Sequence, residues 1–546
     1  MYDEDIAKRL AQLRYPLSAN QRNSNNISPL LLPELLPCIL SYIHPSKVIK
    51  LTRVSKHFRS CILTTSFAQT IFSRFVPPID ETITRSKIPN QFDTLMMSLP
   101  NVFQSIYVKR YLAHLMTIDW EPELLWIDQL WGQDTLSFDA PIPPALCTLE
   151  KLAHLSLCDS GLIGRIPVEI GQLKALQTLN LSCNPRLTDG IPDAICELSS
   201  LVCLNMEYNV IAGPIPPGIG RLAKLEELIL PYCCLSGEIP ASLGLLSNLK
   251  NLDLRSNKLK GPIPVEIWNL SNLQHFRLTN APLVRMTLPP EIGNLASIVT
   301  LQLSNLDLRG EIPPEIGRLV TLLILDLKGN SLTGRVPQEM AQLHNLQSCD
   351  LSSNLGLSCD FHIPLWLAGH DDPPTLNAPI PSAFCGLSNL VNLSLRRAGF
   401  IGEIPVEIGQ LKALETLDLS HNELRGVIID SICELICLKE LNFEYTGVSG
   451  PIPEDIGMLE SLKELKLANC QLAGLLPASL GLLFNLEILD LSNNGFTGPI
   501  PRGIWNLSKL EELRLTNAPL VRMTLPLEIG NLASILDLRL AFWVVR

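Results

Sequence analysis

Residues 249–270 read LKNLDLRSNKLKGPIPVEIWNL, and this stretch decides the fold. Leucine takes the first, fourth and sixth positions and alternates there with polar residues, which is typical of a short strand with one buried face. Asn257 follows at the ninth position, and Gly261 opens a Gly-x-Ile-Pro segment. The stretch therefore predicts one strand, a turn and a returning segment, a unit too small to bury its own leucines.

The same pattern recurs from residue 152 onward, and most copies begin 24 residues apart (249 − 225 = 24). Stacking such units joins their strands into one parallel sheet over a continuous aliphatic core. The copies begin at Leu152, Leu176, Leu201, Leu225, Leu249, Leu273, Ile298, Leu322, Leu346, Leu390, Leu414, Leu438, Leu462, Leu486, Leu510 and Ile535. The sequence therefore predicts a repeat array in place of several ordinary domains.

The ninth position of the repeat favours asparagine. Its side chain can hydrogen-bond backbone groups of adjacent turns, which a buried polar group requires. We expect this role for Asn184, Asn209, Asn257, Asn330, Asn354, Asn422 and Asn494, with Cys233, Thr446 and Cys470 as weaker substitutes. The proline of the Gly-x-Ile-Pro segment is expected in an extended returning segment that needs no backbone donor.

This repeat resembles the leucine-rich-repeat family, in the subclass with the Gly-x-Ile-Pro signature best known from plant receptors. The resemblance implies an α/β solenoid, a leucine-rich-repeat horseshoe or superhelix whose concave face is a parallel sheet that binds protein or peptide ligands. Tyrosine and arginine are the usual anchors of binding surfaces. The candidate partner-binding residues on the concave face are Tyr208, Tyr232, Arg255, Arg277, Arg396, Arg397, His421, Tyr445 and Arg514. The alternative is that these side chains are merely solvated.

A block of repeats has been duplicated. Residues 164–184 (GRIPVEIGQLKALQTLNLSCN) return as 402–422 (GEIPVEIGQLKALETLDLSHN), and 267–298 return almost unchanged as 504–535. A step of 44 residues separates the copies that begin at Leu346 and Leu390. The sequence therefore assigns 139–357 to block 1, 358–389 to a seam loop and 390–546 to block 2. The seam loop is interpreted as a remnant of recombination, with a ligand-contacting loop as the alternative.

Residues 29–75 show a different pattern, with apolar residues at helical spacing on both sides of Pro45 and Ser46. They predict a compact helical module, which resembles the F-box. That resemblance implies binding to the Skp-type adaptor of a cullin-RING ubiquitin ligase. The implied adaptor-binding residues, some of which would form the module's own core, are Leu32, Pro33, Leu36, Ile39, Leu40, Ile43, Val48, Leu51, Val54 and Phe58. The alternative is a plain helical cap that shields the first repeat.

Two further segments flank this module. Residues 1–28 are expected to be a flexible N-terminus. Residues 76–138 contain apolar residues at helical spacing and predict a helical linker that caps the first repeat. Neither segment contains a catalytic or metal-binding motif.

Composition excludes several classes of function. With 43 basic and 54 acidic residues the formal net charge is −11, which argues against nucleic-acid binding. No phosphate-binding loop, nucleophile elbow, zinc-protease or kinase motif occurs. We therefore expect no enzyme activity, no cofactor and no metal. Most of the 15 cysteines fall on repeat positions and are expected in the core.

The N-terminal residues lack the apolar core of a signal peptide, and no apolar stretch is long enough to span a bilayer. These observations predict a cytoplasmic or nuclear protein. The leading functional hypothesis is a non-catalytic substrate receptor of a ubiquitin ligase, with the target on the solenoid. The alternatives are an intracellular scaffold or signalling protein without a ubiquitin role, and a receptor-like ectodomain that lacks its membrane parts.

Overall fold

The computed structural model describes residues 141–142, 144–281, 286–354, 379–518 and 526–540. The predicted N-terminus (1–28), F-box-like module (29–75) and helical linker (76–138) lie outside the described residues, as does most of the predicted seam loop. The chain divides into two compact units, and one of them contains residues 150–546 with all the repeats described below.

The repeats build one 16-stranded parallel sheet, in which neighbouring strands follow one another along the chain. We call each repeat a rung and number the rungs 1 to 16. Their strands are His154–Ser156, Thr178–Asn180, Cys203–Asn205, Glu227–Ile229, Asn251–Asp253, His275–Arg277, Thr300–Gln302, Ile324–Asp326, Ser348–Asp350, Asn392–Ser394, Thr416–Asp418, Glu440–Asn442, Glu464–Lys466, Ile488–Asp490, Glu512–Arg514 and Asp537–Arg539. The predicted parallel sheet is confirmed.

The leucine positions form the core because every strand pairs with the next in the same register. Leu155 pairs with Leu179, and Leu179 pairs with Leu204; none of the three side chains has measurable exposure. Each buried leucine contributes about 2 kcal/mol of hydrophobic stabilisation relative to an exposed one. The apolar periodicity of the sequence is therefore the physical source of the stacked core.

The returning segments differ from the extended conformation predicted for them. The proline itself is extended, as Pro167 shows with φ −67° and ψ 141°, but a five-residue 3₁₀ helix follows. Leu173 N–H then donates to Ile170 O at 3.1 Å, which closes the turn. The described residues contain no α-helix, so the helical component of the predicted α/β solenoid is 3₁₀.

A first 3₁₀ helix, Pro144–Thr148, belongs to the other compact unit. The other 3₁₀ helices stack rung on rung and span Val168–Gln172, Asp193–Glu197, Pro217–Arg221, Ala241–Leu245, Val265–Asn269, Pro290–Asn294, Pro314–Arg318, Gln338–Gln342, Ser382–Gly386, Val406–Gln410, Asp430–Glu434, Glu454–Met458, Ala478–Leu482, Arg502–Asn506 and Leu527–Asn531. Eight of them carry a glycine that faces the following rung. A Cβ on Gly220 would lie 2.3 Å from the Ser242 carbonyl oxygen, so no side chain fits there.

A second set of short parallel strands, which the sequence did not predict, lies between the main sheet and the 3₁₀ helices along the chain. They form five small sheets of two or three strands. Their bounds are Ile163–Arg165, Arg186–Thr188, Ser236–Glu238, Lys258–Lys260, Met286–Thr287, Leu308–Gly310, Ser331–Leu332, Ile401–Gly402, Glu423–Leu424, Ser449–Gly450, Gln471–Leu475 and Gly495–Thr497. These strands pair because the rungs are already held in register by the main sheet.

The predicted asparagine ladder is confirmed. Asn184 Oδ1 accepts the N–H groups of Ser160 (3.1 Å) and Leu162 (3.0 Å), and its Nδ2 donates to Leu157 O at 2.8 Å. Asn209 Oδ1 in turn accepts the Asn184 N–H at 2.8 Å. The side chains thus satisfy buried backbone groups across consecutive rungs.

The predicted substitutes at the ninth position make part of the same contacts. Cys233 Sγ donates to Met206 O at 2.8 Å, Thr446 Oγ1 to Phe443 O at 2.8 Å, and Cys470 Sγ to Phe443 O at 3.0 Å. They supply a donor to the strand carbonyl. Burial raises the pKa of the Cys233 thiol to about 12, so this cysteine acts as a neutral donor in the core.

The main sheet crosses the 44-residue step without losing register. Ser348 pairs with Asn392 and Cys349 with Leu393, as in any other pair of rungs. The fully buried Phe384, which the sequence placed in the seam loop, lies in the 3₁₀ helix that precedes rung 10. The duplicated blocks therefore form one continuous sheet.

Candidate functional site on the open face of the main sheet

The side chains that point away from the leucine core form a surface that we call the open face. They come from the third, fifth, seventh and eighth positions of each rung, because successive side chains of a strand point to opposite sides. In rung 3, Asn205 and Glu207 are partly exposed, whereas Leu204 and Met206 between them are fully buried. Packing of the leucine core therefore does not restrict which side chains occupy the open face.

The eighth position of rungs 1 to 15 has a left-handed backbone conformation. The φ angle is 55° at Tyr208, Tyr232, His421 and Tyr445. Glycine and asparagine adopt this left-handed conformation more readily than other residues. This backbone also pairs with the next rung, since Tyr208 N–H donates to Pro231 O at 3.1 Å. A tyrosine in this conformation costs about 1 kcal/mol relative to glycine, so aromatic residues are not selected here for backbone stability.

The aromatic residues at this position are stacked in pairs. The rings of Tyr208 and Tyr232 lie 4.8 Å apart at an interplanar angle of 5°, and those of His421 and Tyr445 lie 4.5 Å apart at 13°. Tyr208 and Tyr445 are each 53% exposed. Stacking contributes about 1 kcal/mol per pair, which does no more than offset the backbone cost. Two flat aromatic surfaces therefore face solvent with little net gain in stability.

Two of the predicted arginine anchors are held by carboxylates of the open face. Arg255 forms a two-point ion pair with Asp253, in which Nη2 and Oδ2 are 2.7 Å apart. Arg514 lies 2.7 Å from Glu512 and 3.1 Å from Asp537. Both guanidinium groups therefore have internal partners that a ligand would have to match.

The remaining predicted arginines have looser contacts. Arg277 Nη1 donates to Asn251 Oδ1 at 3.2 Å. Arg396 Nη2 lies 3.4 Å from His421 Nε2; since a guanidinium only donates, Nε2 accepts and the imidazole proton is on Nδ1. Arg397 occupies the eighth position with φ 49°. All nine predicted anchors thus lie on the open face, and their role in ligand binding stays a prediction. The adaptor-binding residues predicted between Leu32 and Phe58 lie outside the described residues.

The acidic residues at the fifth position have a structural role. Asp350 Oδ1 accepts the Ser352 N–H at 2.8 Å, and Asp326 Oδ1 accepts the Lys328 N–H at 3.0 Å. Burial raises the pKa of Asp326, and the neighbouring charge of Asp350 adds to the increase. No group of three or more His, Cys, Asp or Glu side chains suited to a metal ion occurs in the part of the chain that the structure covers.

The sequence interpretation missed an ion-pair cluster in rungs 12 and 13. Lys466 Nζ lies 2.5 Å from Glu464 and 3.7 Å from Glu440. Burial raises the pKa of Glu440 and of Glu444, and the charge of Lys466 opposes the increase at both. Comparing the two blocks position by position, which places Lys466 opposite Ile229 of block 1, would have revealed the cluster.

Two protein-family models match the repeats of this chain. A model described as a leucine-rich repeat region matches residues 143–263, and the Leucine Rich Repeat model matches 413–435, 461–483 and 485–507. Among solved structures, a Leptospira interrogans LRR protein is 31% identical over 72% of this chain and 92% of its own length, with a TM-score of 0.55. The chain is a leucine-rich-repeat protein.

Two other solved structures are similar to this leucine-rich-repeat protein. The PEPR1-AtPEP1 crystal structure is 28% identical, with 74% of this chain and 60% of that chain covered and a TM-score of 0.59. The plant peptide hormone receptor RGFR1 in complex with RGF2 is 27% identical, with coverages of 73% and 72% and a TM-score of 0.52. The chain thus spans 60% of the length of the PEPR1 structure. No curated protein matches in sequence.

The described residues contain no helix with the length and hydropathy that a bilayer crossing requires.

Proposed function

We propose that the leucine-rich-repeat solenoid binds an extended polypeptide along its open face, with the two stacked aromatic pairs as anchors. The observation that carries this proposal is the exposure of Tyr208–Tyr232 and His421–Tyr445 at backbone positions where tyrosine is strained. Exposed aromatic rings of this kind are the commonest energetic centres of binding surfaces. They add little to the stability of the solenoid itself.

The spacing of the anchors fits a polypeptide ligand. The pairs lie in rungs 3–4 and 11–12, eight rungs apart, which is about 38 Å at the ~4.8 Å spacing of adjacent strands. An extended chain of about 12 residues covers that distance. A small metabolite cannot contact both pairs. The RGFR1 structure, a plant peptide hormone receptor in complex with RGF2, supports the same choice of ligand class.

The experiment is selection of ligands from a random 16-residue peptide library with the full chain. We expect the selected peptides to lose tenfold or more in affinity for a Tyr208→Ala plus Tyr232→Ala variant, the usual effect of removing a binding centre. The matched control removes two exposed apolar side chains away from the open face, Val168→Ala plus Leu245→Ala. If the wild-type chain selects no peptide, or if the control loses as much affinity as the tyrosine variant, the proposal is wrong.

A second proposed function rests on the F-box resemblance of residues 29–75. In it, this segment binds a Skp-type adaptor, and the solenoid holds a target near the transferring end of a cullin-RING ligase. Proximity then supplies the rate enhancement, so no catalytic residue is needed. A pull-down of the adaptor with wild type and with Leu36→Asp plus Leu40→Asp tests it. Absence of adaptor binding by wild type removes this function and leaves the peptide-binding proposal untouched.

The cellular compartment distinguishes the ubiquitin-ligase receptor from the receptor-like ectodomain. A ubiquitin-ligase receptor requires the cytoplasm or nucleus, where we place the protein on its sequence. A receptor-like ectodomain is the alternative that the receptor structures support. Asn269 and Asn506 are exposed and each begin an Asn-Leu-Ser sequon. Glycans at these two residues, detected by mass spectrometry after expression in the native host cell type, would establish the ectodomain reading.

A further inference from the structure

The two blocks of the solenoid provide an internal comparison, because 237 residues separate equivalent positions (445 − 208 = 237). Rungs 3 and 4 of block 1 correspond to rungs 12 and 13 of block 2. Four residues of the open face are kept between them, whereas Tyr232 corresponds to Asn469 and Cys203 to Glu440. The retained pairs are Asn205 and Asn442, Glu207 and Glu444, Tyr208 and Tyr445, and Glu227 and Glu464.

The centre of this surface differs between the blocks. Ile229 at the fifth position of rung 4 corresponds to Lys466 in rung 13 (466 − 229 = 237). Lys466 Nζ is 2.5 Å from Glu464, which is the equivalent of Glu227. Block 2 therefore holds an ammonium group of its own against a retained carboxylate.

Block 1 keeps two of these carboxylates, Glu207 and Glu227, but has Cys203 in place of Glu440 and no such cation. Glu227 Oε2 accepts a hydrogen bond from Cys203 Sγ at 3.2 Å, and Glu207 Oε1 accepts one from Asn205 Nδ2 at 3.4 Å. Ile229 between them is only partly buried. Over the residues that the structure describes, no lysine or arginine forms an ion pair with Glu207 or Glu227.

We propose that rungs 3 and 4 form a subsite for a lysine or arginine side chain of the polypeptide ligand. The aliphatic part of that side chain packs on Ile229, as long basic side chains do on apolar surfaces, and its charge lies between Glu207 and Glu227. The exposed ring of Tyr208 provides an adjacent aromatic surface for the cation. Lys466 supplies within block 2 what the ligand supplies in block 1.

The charge of the whole chain favours such a ligand. Its formal net charge of −11 attracts basic segments and raises their rate of association. The subsite deepens the proposed peptide-binding function and rests on it. It further implies that the two blocks, despite their common origin, bind different parts of a ligand.

The test uses fluorescein-labelled octalysine and, as neutral probe, its fully acetylated form, with the full chain and fluorescence anisotropy. We expect octalysine to bind and the acetylated probe not to bind. Glu207→Gln plus Glu227→Gln should weaken octalysine binding about tenfold or more, the effect of losing one to two charge-assisted contacts. The control is Glu266→Gln plus Glu339→Gln, which changes the net charge equally at exposed positions of the 3₁₀ helices.

Two reciprocal variants exchange the central residue of the subsite. Ile229→Lys gives block 1 an internal cation next to Glu227 and should weaken octalysine binding about tenfold or more. Lys466→Ile removes the internal cation of block 2 and should raise the number of bound probes from one to two. Thermal unfolding of each variant checks that the solenoid is intact.

Several results would overturn the subsite. They are wild type failing to bind octalysine, the Glu266/Glu339 control losing as much affinity as the Glu207/Glu227 variant, and an intact Ile229→Lys variant binding like wild type. Library-selected peptides that still depend on Tyr208 would then leave the peptide-binding function standing. If octalysine binds at this subsite but the library yields no peptide, the proposed peptide-binding function is wrong and the subsite for a basic side chain is supported.

Discussion

The buried asparagine ladder gives the most direct test of what holds the solenoid together. Asn257 is 4% exposed, and its Oδ1 accepts the N–H groups of Cys233 at 3.2 Å and Leu235 at 2.9 Å. Its Nδ2 donates to Leu230 O at 2.7 Å. An Asn257→Ala substitution leaves two buried N–H groups without acceptors. At about 1 to 3 kcal/mol for each group, the expected loss of unfolding free energy is about 4 kcal/mol.

Hydrogen exchange measured by mass spectrometry locates this loss. The amides of Cys233 and Leu235 should exchange about a thousandfold faster in Asn257→Ala, the factor that corresponds to about 4 kcal/mol. The control is Asn248→Ala, because Asn248 is exposed and its one side-chain bond is to Ala223 O at 2.8 Å. That variant should lose less than about 1 kcal/mol. Equal losses in the two variants would refute the ladder as a stabilising device.

Three further outcomes follow from the same geometry. Asn257→Asp keeps the acceptor but places a carboxylate against carbonyl oxygens, which raises its folded pKa; the variant should therefore lose stability as pH rises above the unfolded pKa of about 3.9, as urea titrations at pH 4 and 7 would show. Gly220→Ala should lower the urea midpoint by the equivalent of about 2 kcal/mol, whereas Gly386→Ala, with open space around its Cβ, should not. Iodoacetamide at pH 8 should alkylate the exposed Cys437 and spare Cys349, whose pKa burial raises; equal labelling would contradict the buried assignment.

Most of the fold could be predicted because a single rung already shows which residues form the strand, the core and the asparagine ladder. Leucine alternation predicts the strand and its buried face, and the ninth-position asparagine predicts the ladder that Asn184 begins. The five small sheets were missed because a single rung does not encode them; they arise from backbone pairing between stacked rungs, as in the pairing of Ile163 with Arg186. The 3₁₀ helices lie within single rungs and were missed because the returning segment was predicted to be extended throughout.

The candidate site was predictable in its residue types and not in its geometry. Tyr208 and Tyr232 were chosen because tyrosine is a usual anchor of binding surfaces. Their stacking and their left-handed backbone are properties of the folded rungs that the residue types do not reveal. Arg255 was ranked as an anchor by type alone, whereas its charge is matched by Asp253. The exchange of Ile229 for Lys466 was missed because it lies between the two segments, 164–184 and 267–298, in which the duplication is visible in the sequence.

The unbroken register between rungs 9 and 10 has a consequence for how such proteins grow. The twenty extra residues of this step leave the pairing of Cys349 with Leu393 unchanged. The main sheet therefore tolerates inserted chain, provided that the chain re-enters the sheet in register with the preceding strand. Gene segments encoding whole rungs can therefore be spliced at this joint without redesigning either side. Lengthening the molecule is mechanically simple, and specialisation then needs only a few exchanged side chains.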